Sequence, residues 1–484
     1  MKSTAPRQKL PDIEPVATLV ARVRRELASA FDAARPLRVS CAPGRLDVMG
    51  GIADYTGSMV CEMPLDRAAA VAVQGRADRL VQVLSLNLSD DGKPFMFQIP
   101  LEALAAGRVE ALRGELASDK GRKWAGYVVG CLVALDERRG VIEGMPNGLN
   151  IAVYSTVPVG AGVSSSAAIE VATMVGLADE LGVKMSPMEM AERCQWAENH
   201  VVGAPCGIMD QVTSAMGQEG KLLRMVCQPH EVLPAVELPE GIRVVGINSN
   251  VKHEVGGGAY GRTRCAAFIG HKIIIEKMRE MAAAQGMEMT GDPTRGYLAN
   301  LDPDHYKALF RPHVPEKITG REFLEKYGAT GDSVTRVEEE TEYEPRHATD
   351  HHVLEARRVR RFVEFLEAAG KLPVEQRKLD LDRAGHLMYA SHQSYGMDAM
   401  LGAEECDLLV DLVRKREEAG LYGARITGGG SGGTVAVLAD VGDRADAAIA
   451  EIVEEYGPRT GRKAELFKKS GPGACETGSA TVPL

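Results

Sequence analysis

Between Pro158 and Glu170 the chain reads PVGAGVSSSAAIE. Gly160 and Gly162 let the backbone turn tightly and leave its N–H groups uncovered. Ser164, Ser165 and Ser166 come next, where helical spacing begins. The first amides of a helix lack an internal partner, and its dipole adds positive potential there. Together these features suit an anion, most naturally a phosphate chain, with the hydroxyls free for phosphate oxygens or a magnesium ion. A plain serine cap after a strand–helix turn would use the same residues. A Walker A loop is excluded, because GxxxxGK[ST] occurs nowhere in the chain. A second loop, GGGSGG, satisfies GxGxxG at Gly428, Gly430 and Gly433. The run after it, TVAVLAD, is a strand pattern rather than a helix, so a dinucleotide site fails in context. Gly428, Gly429 and Gly430 are instead expected to pack close to the first loop or to its ligand.

Other residues are suggestive only in combination. Asp210, in CGIMDQ, is either a helix cap or a catalytic carboxylate, and Gly207 precedes it. Glu198, one helix upstream, suits a solvated helix face as well as a ligand. Arg45 follows Pro-Gly in CAPGR and could lie on the surface. The stretch GGIADYTG (50–57) sets Gly51, Ile52 and Ala53 before Asp54, with few polar groups for a binding loop. Trp124 in KWAGY fits a core aromatic or a base-stacking wall. His347, His351 and His352 in RHATDHHVLE have no cysteine near them and only one i, i+4 pair, which favours a polar helix start over a metal site.

These groups need a frame. Apolar spacing predicts helices over 13–35, 123–137, 165–181 and 187–201, and a largely helical 350–420. Strands are expected over 68–75, 80–86, 148–160 and 242–251, with LRVSCAPGR a short strand running into a Pro-Gly turn. ARITGGGSGGTVAVLAD (424–440) reads as strand, loop, strand. Residues 286–345 read as surface loops and short helices. A chain of 484 residues implies two domains. With 57 basic and 67 acidic residues the net charge is −10, which argues against nucleic acid or an anionic membrane as main partner. Nine cysteines without a CxxC argue for reduced thiols rather than a disulfide framework. No apolar run reaches the ~18 residues of a membrane span, and the first residues lack a signal-peptide core. A cytoplasmic protein is expected.

In their order these pieces resemble the GHMP small-molecule kinases. The matching segments are APGR-x₄-GG-x₂-DY-x-G (42–57), P-x₃-G-x-SSSA (158–167) and TGGGSGG (427–433). KWAGYV, GAPCGIMDQ, SNVKH and AYGRTRC are similar to the galactokinase branch. MGGIADYTGS and ENHVVGAPCGIMDQ are similar to the kinase domain of plant L-arabinokinases. The resemblance runs from about residue 38 to about residue 472. It implies an α+β fold of two domains with the active site in the cleft between them. A helical extension (1–35), an N-terminal domain (36–235), a C-terminal domain (236–472) and a flexible tail (473–484) would make up the chain. It also implies ATP and Mg²⁺ with a small-molecule sugar. Asp210 and Arg45 fall on catalytic positions, Ser166 and Glu198 on metal positions, and Gly160, Gly162 and Ser164–Ser166 on the phosphate loop. Trp124 falls near the adenine, and Asp54, Gly207 and Tyr260 on sugar contacts. Galactokinases commonly read Gly-Glu-His-Thr-Asp-Tyr where this chain has Gly50 to Tyr55. Gly51 and Ile52 replace the Glu-His pair near a hexose's 6-hydroxymethyl group. L-arabinopyranose keeps galactose's ring hydroxyls and lacks that group, so L-arabinose is the expected substrate. Galactose, another anomeric sugar or a non-catalytic sensor are the alternatives.

Overall fold

The computed structural model describes residues 10–228, 230–252 and 258–484. An N-terminal sheet is built from β1 (Leu37–Met49), β2 (Met59–Gly75), β3 (Leu80–Ser85), β4 (Met96–Pro100), β5 (Leu149–Ser155), β6 (Lys221–Val226) and β7 (Glu231–Glu237). β2 is 17 residues long and forks: Met59–Glu62 pairs with β6 and Ala69–Gly75 pairs with β5. β3 and β5 run parallel, and the remaining pairs are antiparallel. Side chains alternate between faces along each strand. Val71, Val73, Val81 and Val83 pack under the helices Gly126–Arg139 and Ser165–Glu180. Val39, Cys41, Ala70 and Ala72 face the helix Val16–Glu26. That helix is shorter than the expected 13–35, and it covers a sheet face.

The C-terminal sheet has β8 (Ile242–Asn248), β11 (Leu421–Ile426), β12 (Thr434–Asp440) and β13 (Glu465–Phe467) in the order β11-β12-β8-β13, all antiparallel. A short ribbon of β9 (Ile318–Thr319) and β10 (Glu342–Tyr343) lies in the segment between. Helices Glu404–Arg414 and Asp443–Thr460 cover one face of the sheet. On the other face, Val244 and Leu438 join Phe362, Leu366 and Leu381, and also Leu46, Val48, Met63 and Val157 of the N-terminal half. One apolar core therefore spans both domains. Residues 286–345 are short helices and loops, as their polar texture predicts. They also bury Tyr306, Phe310, Phe323 and Tyr343 against the helix Gly258–Ala284.

Two expectations are corrected by β-structure. The Pro-Gly of CAPGR is not a turn: β1 runs through it, with a register slip between Pro43 and Arg45. A bulge of this kind bends a strand without ending it. The tail beyond 472 is not loose. β14 (Ser479–Val482) pairs with β1, Leu37 opposite Val482 and Ser40 opposite Ser479, and so covers that edge of the N-terminal sheet. The N-terminal domain thus includes the far end of the chain. Among the described residues no helix is long and apolar enough to cross a membrane.

Candidate active site

Arg45 follows the bulge in β1 and is buried. Its Nε and Nη2 lie 2.9 and 2.7 Å from Asp210 Oδ1. Its Nη1 donates to the Gly162 carbonyl at 2.8 Å. Glu62 Oε2 is 3.2 Å from Nε. Asp210 sits in the first turn of the helix Met209–Met216, and Ser214 ties that helix to β1 by donating to the Pro43 carbonyl at 2.7 Å. One guanidinium therefore joins the catalytic candidate to the phosphate-loop candidate. Burial, with Asp47 beside it, pushes the Glu62 carboxyl well above the usual carboxylate range.

The loop before the helix Ser165–Glu180 takes the left-handed backbone the glycines allow: φ is 75° at Gly160 and 69° at Gly162. Ser164 also has a positive φ, 58°, and its buried Oγ has no partner. An orphaned hydroxyl at a helix N-terminus, beside uncapped amides, suits an anionic ligand. Ser165 and Ser166 occupy the first turn. Glu198 heads a π-turn, Glu198–Val202, that closes the preceding helix. Burial and the charge of Asp210 push its carboxyl up to about 7, against hydrogen bonding from Ser166 and Gln211. Gln211 Nε2 donates to Glu198 Oε2 at 2.7 Å and to Glu170 Oε2 at 3.1 Å. Glu170 is fully buried and its Oε1 is unpartnered. Among the described residues no basic side chain pairs with either carboxylate. Two buried acids short of positive charge, with the hydroxyl of Ser166, fit a hard divalent cation. No group of three or more His, Cys, Asp or Glu that could hold a metal exists among the described residues. A cation here would draw its other ligands from phosphate and water, as Mg²⁺ commonly does.

GGIADYTG folds as a tight 3-10 turn, Gly51–Thr56. Asp47, Tyr395 and His352 hold it. The Gly51 N–H donates to Asp47 Oδ1 at 3.1 Å, and the Ile52 N–H to the Tyr395 hydroxyl at 2.9 Å. His352 is buried, and burial lowers its pKa to about 3, so the ring is neutral. Its Nδ1 lies 3.0 Å from Thr56 Oγ1 and its Nε2 3.1 Å from the Tyr55 hydroxyl. Thr56 already donates to the Ala53 carbonyl, which assigns the ring proton to Nδ1. His351 is likewise buried, with Nδ1 2.9 Å from Ser394 Oγ. The expected polar helix start is therefore wrong for both; they are packing histidines in the helix Pro345–Gly370.

The reason expected for Gly51 and Ile52 also changes. A Cβ on Gly51 would sit 1.7 Å from the Tyr395 hydroxyl, and φ there is +49°. Gly51 is a packing requirement, not an empty sugar-facing position. Ile52 is 1% exposed, in an apolar cluster with Tyr260, Tyr395 and Leu401. Asp54 is buried too, accepting from the Tyr55 N–H at 2.6 Å and the Met209 N–H at 3.4 Å. Burial and the nearby Asp210 push its carboxyl up to about 7. Gly207 packs so tightly on it that a Cβ would lie 1.7 Å from Asp54 Oδ2. Tyr260 meets the Tyr55 ring edge-on, 6.0 Å between centres. A cavity of about 440 Å³ opens beside Asp54, Tyr55 and Gly207, walled further by Trp196, His230 and Arg264.

The late glycine loop packs on the first one, as expected. Thr427 and Thr434 donate to the carbonyls of Gly162 and Ala161 at 2.9 and 2.8 Å. A Cβ on Gly428 would come within 2.8 Å of the Gly162 carbonyl, and one on Gly430 within 2.5 Å of the Leu401 carbonyl. Gly429 lies between them, half-buried. Trp124 packs half-buried against the N-terminal core, whereas Trp196 lines the cavity beside Asp54. Sequence reasoning missed Glu62, Glu170, Gln211, Tyr395 and the buried pair Asp47–Arg425, 2.8 Å apart. The available signal was a charge inside an apolar run: LDVM, MVCEMPL, AAIEVAT. Of the segments carrying the resemblance, SNVKH ends at His253, outside the described residues.

Residues 126–218 match the N-terminal domain of the GHMP kinases, residues 357–459 the GHMP kinase C-terminal domain, and residues 26–75 a galactokinase galactose-binding signature. The chain is 35% identical to an L-arabinokinase of Arabidopsis thaliana across 94% of its own length, but spans only 48% of that protein. It is 30% identical to a galactokinase of Chloroflexus aggregans, covering 88% of this chain and 90% of that one. A galactokinase of Streptomyces coelicolor is also 30% identical, over 95% and 98%. Among solved structures, Lactococcus lactis galactokinase complexed with galactose superposes with a TM-score of 0.69 at 21% identity, over 97% and 99% of the two chains. Methanococcus jannaschii mevalonate kinase gives 0.53 at 13% identity, over 89% and 97%. These two likenesses concern the fold alone. With two glycine loops packed together around an Arg45–Asp210 pair, and galactokinases matched over nearly their whole length, the chain belongs to the GHMP kinases, in the branch that holds galactokinases and L-arabinokinase.

Proposed function

We propose that the protein transfers the γ-phosphoryl group of ATP to the anomeric hydroxyl of a sugar, preferring L-arabinose and forming L-arabinose 1-phosphate and ADP. The observation that carries the sugar assignment is that positions 51 and 52 hold neither the carboxylate nor the imidazole that galactokinases commonly have there. The Tyr395 hydroxyl fills the space where a side chain at 51 would begin, and Ile52 is apolar and buried. Both positions are taken up by packing, so neither supplies a side-chain hydrogen bond to a bound sugar. The 35% identity to an L-arabinokinase supports the same assignment. Asp54, Gly207 and Tyr260 would bound the ring of the sugar.

Asp210 accepts or orients the proton of the anomeric hydroxyl, whose oxygen attacks the γ-phosphorus as the bond to ADP breaks. Arg45, 2.7 Å from that carboxylate, lies where charge develops on the moving group. Backbone amides at Ser165 and Ser166 and the free Ser164 hydroxyl hold phosphate oxygens. Glu198 and Ser166 would hold Mg²⁺, which neutralises phosphate charge when bound. Galactose is the second candidate, favoured by the signature match over 26–75 and by the shared ring hydroxyls. A non-catalytic sensor is disfavoured by the intact Arg45–Asp210 pair.

The test is a sugar panel with ATP and magnesium, comparing kcat/KM for L-arabinose and D-galactose and reading the phosphate position by NMR. Shape-based discrimination predicts a preference for L-arabinose of about 10- to 200-fold. A tenfold preference for galactose would reject the pentose assignment.

A further inference from the structure

Another buried arginine, Arg264 in the helix Gly258–Ala284, takes no part in the phosphoryl-transfer steps. Its Nε and Nη2 donate to the two oxygens of Asp332 at 2.9 and 2.8 Å. Its Nη1 donates to the carbonyls of Pro205 and Cys206 at 3.3 and 3.2 Å. The guanidinium carbon lies 4.9 Å from the centre of the Tyr55 ring. Asp332 also organises its own loop, accepting from the Val334 and Thr335 N–H groups at 3.2 and 3.1 Å and from Thr335 Oγ1 at 2.6 Å. One side chain thus touches three segments far apart in sequence. The loop it grips, Pro205–Gly207, presses Gly207 onto Asp54 and leads three residues later to Asp210. Ser333 and Val334 line the same cavity as Asp54, Tyr55 and Gly207.

We propose that Arg264, held by Asp332, is a positioning residue for the sugar side of the site, and that the segment 286–345 forms a wall of that site which sets sugar affinity. The assignment of the ligand as a sugar rests on the proposed kinase activity. The fork of the guanidinium is essential, because it serves a carboxylate and two carbonyls at once; an ammonium group is a point charge and cannot span them. Removing either partner leaves the other charge buried and unpaired, so conservative changes are the informative ones.

Arg264→Lys and Asp332→Asn, made in the full chain, are expected to raise KM for the preferred sugar at least tenfold and leave KM for ATP within twofold. Amide hydrogen exchange should quicken over residues 203–208 and 330–335. A merely structural role would lower kcat with the folded fraction and leave both KM values unchanged. A sugar KM within twofold of wild type in both variants overturns the proposal. If Arg264→Lys does not fold, Arg264→Met combined with Asp332→Leu removes both charges together and is read the same way. If the wild type phosphorylates no sugar in the panel, the kinase assignment has failed. The clamp is then judged by exchange alone, and unchanged protection over 203–208 overturns it.

Discussion

Asp54 shows how burial and a neighbouring charge work on one carboxylate. Its pKa is raised from 3.8 to about 7, first by burial and then by Asp210. Between those two values the folded chain holds a proton that the unfolded chain has lost, so this group's contribution to stability falls as pH rises from about 4 to about 7. The charged form, which in the proposed site would accept from the sugar, grows in over the upper part of that range. We expect kcat/KM for the sugar to rise through about pH 7, and Asp54→Asn to lower it about 10- to 100-fold and remove or shift the inflection. An unchanged inflection in that variant would assign it to another group, such as Glu198, which also titrates at about 7. Gly51 is a second test at this scale. Gly51→Ala forces a Cβ toward the Tyr395 hydroxyl at a positive φ, at a cost of about 1–3 kcal/mol in urea unfolding. Adding Tyr395→Phe should recover part of that loss; no recovery would mean that φ, not the hydroxyl, sets the cost.

At the scale of elements, the two glycine loops and the helices behind them were legible because each is written in a local run of residues. Arg45, Asp210 and the serines sit in such runs too. What was illegible is pairing at a distance. Arg425 and Asp47 meet across 378 residues, and nothing near either residue names the other. The tail was misjudged for the same reason. SATV is short and its residues are small, and its strand character comes only from the β1 edge that it joins. Removing residues 478–484 uncovers that edge and the apolar side chains of Leu37 and Val39. The shortened chain should melt several degrees lower and self-associate, as seen by scanning calorimetry and size-exclusion chromatography. A melt and elution matching the full chain would mean that β14 adds nothing. The strand missed between Pro43 and Met49 has a different cause: Pro43-Gly44 is an ordinary turn signal, and only the bulge lets β1 continue through it.

Across the whole molecule, the two sheets do not have separate cores. Leu46, Val48, Met63 and Val157 pack with Val244, Phe362, Leu381 and Leu438 in one cluster. Calorimetry should therefore record a single unfolding transition with equal calorimetric and van't Hoff enthalpies. Two resolved transitions would contradict a shared core. The forked β2 adds to this continuity, since one strand serves two neighbours at its two ends. A molecule stitched together along its middle resists a parting of its halves, because opening would expose that apolar cluster to water. In the proposed kinase, sugar and nucleotide are therefore expected to come and go past loops rather than through a parting of domains. The relevant clock is that of loop motion, nanoseconds to microseconds, rather than the slower one of domain rocking.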